Sequence, residues 1–265
     1  MSLTVHCLVK NEEVFVIQAV ESVIASAEKV MIFDTGSTDE TWAKIQALVV
    51  RYPEKVKAVQ KGPCTPAQHT QLRQEMVNQT TSDWFMIVDG DEIWTEAGMV
   101  EVEQVMHAAQ VDCALAPFYL CVGDILHHSL RGKYQYDMGK LHASPRLFRR
   151  LPDVGWNLSP YGGDYVQDKE GNLIRPGKYT LLKNRYWHCS ALVRSSQDEV
   201  ITLGRHKQVI TYSLKFLGQG FRIWEKPPAV FAPLERWCLP IYKSWVNAVL
   251  LIAYGLKILG RRKWI

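Results

Sequence analysis

Three carboxylates stand together directly after an apolar run: Asp89, Asp91 and Glu92, with Gly90 between the first two, follow residues 84–88. The run has the length of a buried strand, and ligands collect outside the carboxyl ends of strands in an open α/β sheet. Two like charges held this close need a counter-ion, most simply a divalent metal with oxygen ligands. Gly90 would let a ligand approach the backbone. The pattern predicts a cation site, and the alternative is a solvated acidic turn.

A second polar stretch, residues 34–41, follows the short apolar run of residues 30–33. Gly36 supplies freedom for a turn, and Thr38 or Asp39 is predicted to cap the helix that comes next. A helix start of this kind offers backbone N–H groups to an anion. The stretch is therefore a candidate anion-binding loop.

Apolar periodicity places these polar stretches between alternating strands and helices. Strands are predicted at residues 3–9, 30–33, 56–59 and 84–88, and helices at residues 13–27, through residues 42–48, and at residues 66–79. Such alternation implies a mostly parallel sheet with helices on both faces, which is an α/β fold.

The second half of the chain has a different texture. A helix is expected over residues 100–109, and a strand over residues 113–122 that is broken by Pro117. Residues 123–184 carry many turn signals. We interpret them as loops and an irregular half of the sheet, on the side of the site where a second substrate would bind. We predict that residues 1–110 and residues 111–226 form the two halves of one domain. Residues 227–265 are predicted to form a connector and a C-terminal helix.

The C-terminal stretch, residues 239–265, is apolar, aromatic and basic. Its apolar core, residues 246–256, is too short to span a bilayer, which needs about 20 residues. Its aromatic residues and the basic cluster at residues 261–263 suit an amphipathic helix at a membrane interface. A helix that packs on the domain, or on a second subunit in an oligomer, is an equal alternative. The prolines between residues 227 and 240 predict a stiff connector.

The composition is that of a folded globular protein. It is 47% hydrophobic and 22% charged over 265 residues, and the net charge of +4 is too small to imply a nucleic-acid partner. Its six cysteines form no C-x-x-C pair, which argues against a zinc site or a disulfide framework and for a reducing compartment. Because residues 3–9 already have the pattern of a strand and no basic segment leads into them, we expect no signal peptide. We expect a cytoplasmic protein, with a peripheral place on the inner face of the membrane if the C-terminal stretch docks there.

Several motifs carry a resemblance to a known family. LTVHCLVKNEE, IFDTGSTDET and DWFMIVDGDE, in that order and spacing, resemble the nucleotide-binding half of a family 2 glycosyltransferase of GT-A fold. SPRLFRR at residues 144–150 and YWHCS at residues 186–190 resemble later motifs of the same family. The resemblance implies that a sugar is transferred from a nucleotide-diphosphate donor, with inversion at the anomeric carbon.

The family's nucleotide-binding residues carry over to positions in the first half of the chain. Asp34 would face the base or ribose, unless it only caps a turn. Thr35 departs from the commoner Asp-Asp-Gly-Ser form, which leaves the base open, with a UDP-sugar favoured. Arg73 would pair with donor phosphate or with the acidic cluster. The nucleotide-binding set that the resemblance implies is Val9, Asn11, Glu12, Asp34, Arg73 and Asp89.

The resemblance also implies a metal and a base. Asp91, assisted by Asp89, would hold Mn²⁺ or Mg²⁺ against the diphosphate, and His188 would complete the site. An inverting transfer needs a base for the acceptor hydroxyl, and Asp164 is the candidate. Two further carboxylates lie behind Asp164 as alternatives, Asp153 and Asp168. Two arginines would contact the acceptor or a phosphate, Arg146 and Arg149. The acceptor is expected to be a glycan or lipid-linked molecule if the C-terminal stretch contacts a membrane.

Other classes stay open at the level of sequence. A haloacid-dehalogenase-like phosphatase also carries Asp-x-Asp after an apolar strand, but that strand normally lies near the start of the chain. A pyrophosphorylase-type nucleotidyltransferase opens with a basic, Gly-rich phosphate loop, which Lys10 to Glu13 is not. A nucleotide-sugar-binding module without activity is the non-enzymatic alternative.

Overall fold

The computed structural model describes residues 1–122, 124–129, 143–152, 155–156, 166–167, 178–199 and 220–234. Its central feature is a curved open sheet, and the strands on its main path follow one another in the order of residues 220–222, 124–129, 113–122, 143–149, 84–87, 3–9, 29–34 and 56–60. The predictions for Asp153, Asp164 and Asp168 and for residues 239–265 lie outside the described residues. Within the described part, no helix combines the length and apolar character needed to cross a membrane.

The first half of the sheet is parallel, as predicted. Its strands are β1 (Leu3–Val9), β2 (Lys29–Asp34), β3 (Val56–Gln60) and β4 (Trp84–Ile87). They pair in the order β4-β1-β2-β3, with Val9 opposite Asp34 at the carboxyl edge. Parallel pairing brings the ends of β1, β2 and β4 to one edge of the sheet.

In the described part of the chain, three α-helices connect these strands and a fourth follows them. They are α1 (Val16–Glu21), α2 (Thr41–Arg51), α3 (Pro66–Gln79) and α4 (Glu96–Met106). Helix α3 has the predicted bounds because Thr65 and Gln68 form a reciprocal capping box and Pro66 occupies the first turn. The helix predicted over residues 13–27 was too long: α1 stops at Glu21, and turns complete the segment.

The second half of the sheet is mainly antiparallel. The strands are β5 (Glu92–Ile93), β6 (Cys113–Val122), β7 (Asp124–Ser129), β8 (Ala143–Arg149), β11 (Tyr179–Leu181), β12 (Tyr186–His188) and β13 (Gly220–Arg222). A separate pair is formed by β9 (Gly155–Trp156) and β10 (Val166–Gln167). Strand β8 lies antiparallel between β4 and β6. The predicted break at Pro117 was wrong, because β6 continues through it and its pairing with β8 shifts register only between Ala114 and Leu115.

The main hydrophobic core lies between the sheet and the helices. Val5 and Ile32 of the sheet, Ala19 of α1, Leu48 of α2 and Val102 of α4 are almost completely buried in it. Burial of apolar area at roughly 25 cal/mol per Å² makes this packing the main stabilising contribution. The core fixes β1, β2 and β4, and therefore fixes the edge where their polar ends meet.

Candidate functional site

The loops after β1 and β2 are joined by a network of short-chain polar groups. Asn11 has a left-handed φ of 55°, and its Oδ1 accepts the Thr38 N–H at 2.9 Å. The Asn11 N–H donates to Ser37 Oγ at 2.9 Å, and the Ser37 hydroxyl donates to the Asp34 carboxylate. Asp34 is completely buried and also accepts the Ser37 N–H. These contacts are those of a turn-capping carboxylate, and a role of Asp34 toward base or ribose stays a prediction.

Thr35, which directly follows β2, connects this loop to the end of β1. Its N–H and its hydroxyl both donate to the carbonyl of Val9, each at 2.9 Å. The next residue, Gly36, has φ 83°, and a Cβ there would lie 2.7 Å from Pro63 N. The bend after β2 therefore requires glycine and is tied to β1 through Thr35.

Two arginines from different elements hold the acidic strand end. Arg73 on α3 donates to Asp89 at 2.6 Å. Arg146 on β8 lies 2.5 Å from Glu92 and 3.5 Å from Asp89. Burial favours the neutral carboxyl of Asp89, but the charges of Arg73 and Arg146 outweigh burial and hold its pKa well below the usual range. Asp89 is therefore a carboxylate with two cationic partners.

Glu92 is fully buried, and burial raises its pKa to about 8 even beside Arg146. The hydroxyl of Tyr186 lies 3.1 Å from Glu92 Oε1 and stands on the same side as Arg146. The ring of Tyr186 stacks on Trp94, with 4.9 Å between the centroids. Glu92 is thus buried against the Tyr186 hydroxyl and the Arg146 guanidinium.

A third arginine, which sequence reasoning missed, binds Asp91. Arg194 Nη1 lies 2.5 Å from Asp91 Oδ2 and 2.6 Å from Glu12 Oε1. Burial first, and then the neighbouring Asp91, raise the pKa of Glu12 well above its ordinary value. The only sequence signal for Arg194 is its position six residues after His188, as a charge following an apolar stretch.

The three acids have cationic partners of their own, so their charges alone do not require a metal, and the metal site stays a prediction. In this structure, Asp89, Asp91 and Glu92 already have arginine partners. Gly90 has a packing role here, and the close approach of a ligand to its backbone stays a prediction. A Cβ on Gly90 would lie 2.8 Å from Glu12 Cγ and 3.0 Å from Val9 Cγ1, so that face is filled by the chain rather than open to a ligand.

His188 reaches the cluster through strand pairing. Strand β12 pairs antiparallel with β5, which sets His188 opposite Glu92, and the Cys189 N–H donates to the Asp91 carbonyl at 2.8 Å. His188 Nε2 lies 3.8 Å from Asp91 Oδ1. Burial lowers the pKa of His188, which favours the neutral imidazole that binds metals. Its Nδ1 is buried and has no hydrogen-bond partner among the described residues.

The side chains at this site fit the predicted metal ion in part. Across the described residues, no three His, Cys, Asp or Glu side chains already converge to hold an ion. Asp91 Oδ1 and His188 Nε2, however, face each other at a separation that two ligands of one ion can have, since such ligands lie about 2.0–2.2 Å from the ion. A divalent ion here would take its remaining ligands from a bound donor or from water.

Arg149 was predicted at this site and lies elsewhere. It pairs with Asp112 at 3.1 Å, donates to the Val111 carbonyl, and its guanidinium lies over the ring of Trp84. Because Trp84 begins β4, this is the edge of the sheet opposite Asp89. The carboxylate predicted as base, Asp164, lies outside the described residues.

The sequence matches the family model described as Glycosyl transferase family 2 over residues 4–185. No curated protein sequence matches the chain. Among solved structures, S. aureus TarS 1-349 in complex with UDP-GlcNAc is 13% identical, with 83% of this chain and 67% of that chain covered and a TM-score of 0.50. S. aureus TarS 1-349 without a ligand in its name is 15% identical, with 83% of this chain and 66% of that chain covered and a TM-score of 0.48.

A further solved structure is glucosyl-3-phosphoglycerate synthase from Mycobacterium tuberculosis in complex with Mn²⁺ and UDP-glucose. It is 18% identical, with 43% of this chain and 42% of that chain covered and a TM-score of 0.32. The chain spans about two thirds of the TarS 1-349 fragment and 40% of the longer TarS chain. The likeness to TarS bound to UDP-GlcNAc confirms the predicted fold.

Proposed function

We propose that this chain, which belongs to glycosyl transferase family 2, moves a sugar from a nucleoside-diphosphate donor to an acceptor hydroxyl with inversion. The observation that carries the proposal is a set of buried guanidinium N–H groups. Arg73 Nε and Nη1 and Arg146 Nε are buried and have no hydrogen-bond partner among the described residues. Unpaired buried donors are costly, and phosphate oxygens are strong acceptors for guanidinium groups. A diphosphate at this sheet edge would satisfy them.

The residues at the three strand ends divide the donor between them. Asn11 follows β1 and Asp34 ends β2, where the nucleoside would lie. Asp89 follows β4, where it keeps Arg73 and Arg146 in place for the diphosphate. Charge builds on the departing nucleoside diphosphate during transfer, and preorganised cations stabilise it.

We assign the divalent cation, Mn²⁺ or Mg²⁺, to Asp91 and His188. When bound, such an ion supplies Lewis-acid stabilisation of the leaving group. Asp91 offers a carboxylate oxygen, and His188 offers a neutral ring nitrogen. Of the two ring nitrogens of His188, Nε2 faces Asp91 and Nδ1 is buried.

The finer assignments rest on the resemblance of the motifs. We propose a uridine nucleotide, supported by the binding of UDP-GlcNAc by the fold relative TarS. We propose Asp164 as the base that accepts the proton of the acceptor hydroxyl. The acceptor is a glycan or lipid-linked molecule, which residues 239–265 would help to reach at a membrane surface. Residues 1–110 would bind the donor and residues 111–226 the acceptor.

A thermal-shift panel of nucleotide sugars, with and without Mn²⁺, tests the donor assignment. A ligand that binds the native state raises the apparent stability, so a UDP-sugar should raise the melting temperature. Arg73→Gln should lose most of this shift, whereas Arg149→Gln, which removes an arginine from the opposite edge, should keep it. No shift with any nucleotide in the panel would refute the proposal.

Two activity measurements separate the alternatives. Rapid hydrolysis of a generic aryl phosphate would favour the phosphatase and count against the transferase. Asp164→Ala should abolish transfer and keep donor binding. Transfer that is unaffected by Asp164→Ala would show that another group is the base.

A further inference from the structure

Arg194 joins two buried carboxylates that come from distant parts of the chain. A single atom, Nη1, lies 2.6 Å from Glu12 Oε1 and 2.5 Å from Asp91 Oδ2. The side chains of Arg194, Glu12 and Asp91 are only 13%, 7% and 4% exposed. Because one nitrogen contacts both carboxylates, both face a single point. That arrangement is also the one in which two carboxylates share a cation.

The main chain of Arg194 is fixed against the loops that follow β1 and β2. Its carbonyl accepts the Val14 N–H at 2.9 Å, and its N–H donates to Asp198 at 2.8 Å. The hydroxyl of the next residue, Ser195, donates to Asp39 at 2.5 Å. The side chain alone would therefore have to turn for the two carboxylates to be released.

Arg194 and a divalent ion would lie on the two oxygens of one carboxylate, the guanidinium at Asp91 Oδ2 and the ion at Oδ1, which faces His188. The ion assigned to Asp91 and His188 would lie beside a guanidinium that is already 2.5 Å from Asp91. Like charges at such a distance repel strongly when water is largely excluded. A nucleoside diphosphate changes this balance, because its oxygens are good partners for a displaced guanidinium.

We propose that Arg194 is an internal substitute for the divalent cation. It holds Glu12 and Asp91 together in the donor-free protein and turns to the diphosphate when donor and ion bind. The inference rests on the proposed function, because the diphosphate is the new partner of Arg194. It follows that the ion binds weakly to the protein alone and more tightly together with a nucleoside diphosphate.

Mn²⁺ binding by the purified full chain tests this inference without any measurement of transfer. Isothermal titration with Mn²⁺ alone should give affinity at least about tenfold higher for Arg194→Gln than for the wild type, because a positive charge beside the ion is removed. Arg194→Lys keeps the charge and should bind as weakly as the wild type. Arg51→Gln changes an arginine on α2 that pairs with Glu21, and should leave Mn²⁺ binding unchanged.

Thermal melts cover the case in which Arg194→Gln is unstable. Without Arg194, two buried carboxylates face each other, so the variant should melt earlier and Mn²⁺ should raise its melting temperature more than that of the wild type. The inference would be overturned if Arg194→Gln bound Mn²⁺ no more tightly than the wild type. It would also be overturned if Mn²⁺ did not raise the melting temperature of Arg194→Gln. If UDP binds neither protein, the proposed function fails. If UDP binds and Arg194→Gln gains no Mn²⁺ affinity, only this inference fails.

Discussion

His6 in β1 should make the protein sensitive to acid. It is buried in the sheet, its ring stacks on Phe85, and its Nε2 lies 2.6 Å from Thr80 Oγ1. The Thr80 hydroxyl donates to the Met76 carbonyl, so His6 is the donor and carries its proton on Nε2. Burial first, and then the charge of Arg73, lower the pKa of His6 from 6.5 to about 3.

The size of the effect follows from this pKa. The native protein takes up the second His6 proton only near pH 3, whereas the unfolded chain takes it up near pH 6.5. Each pH unit between these values lowers the free energy of unfolding by up to about 1.4 kcal/mol. Stability from neutral His6 is present above pH 6.5 and is lost as the pH falls toward 3. Between pH 6.5 and 4.5 the loss is about 2–3 kcal/mol.

Urea unfolding from pH 7 to pH 4.5 measures this contribution. His6→Gln keeps a polar group near Thr80 but cannot take up a proton. Its free energy of unfolding should therefore fall by about 2–3 kcal/mol less than that of the wild type over this pH range. His107→Gln alters an exposed histidine at the end of α4 and should follow the wild-type slope. If His6→Gln and the wild type lose stability in parallel, then burial of a neutral His6 does not account for acid sensitivity.

Three further outcomes are expected. Asp91→Ala should reduce transfer by about 100-fold or more while circular dichroism shows an intact fold, because a leaving-group stabiliser is lost. Transfer that survives both this change and chelation would refute the metal assignment. Gly90→Ala should lower the free energy of unfolding by about 1–3 kcal/mol, measured by urea titration, because its Cβ would meet Glu12 at 2.8–2.9 Å; an unchanged midpoint would contradict that packing. Arg146→Met should lower the free energy of unfolding by about 1–3 kcal/mol, measured by urea titration, because the buried Glu92 loses its guanidinium partner, and replacing Glu92 by Met as well should recover most of it; equal stability of Arg146→Met and the wild type would contradict the pairing.

Local patterns in the sequence were enough to predict the parallel half of the sheet. Residues 66–79 form a helix with the predicted ends because the capping groups, Thr65 and Gln68, lie directly before the segment and in its first turn. The polar ends of β1, β2 and β4 meet because parallel strands end at one edge. These features depend on neighbours in sequence, or on one general rule of sheet topology.

Two arginine partners of the acids, Arg146 and Arg194, could not be predicted in the same way. Arg146 comes from an antiparallel strand 54 residues after Glu92, and Arg194 reaches Asp91 across 103 residues. Arg149 has the same residue type and lies three residues from Arg146, yet it ends at the opposite edge of the sheet. Only the pairing of β8 with β4 decides which of the two meets the cluster.

The pairing of β12 with β5 and β6 also affects the order in which the molecule forms. Strands β1, β2 and β4 are complete after fewer than 90 residues, but His188 and Arg194 join them only from positions about 100 residues later. Closing contacts of such long sequence separation is slow, because the entropy of a long loop must be lost first. During synthesis, the acidic strand end therefore exists before two of its partners, and the site is among the last parts of the described molecule to assemble.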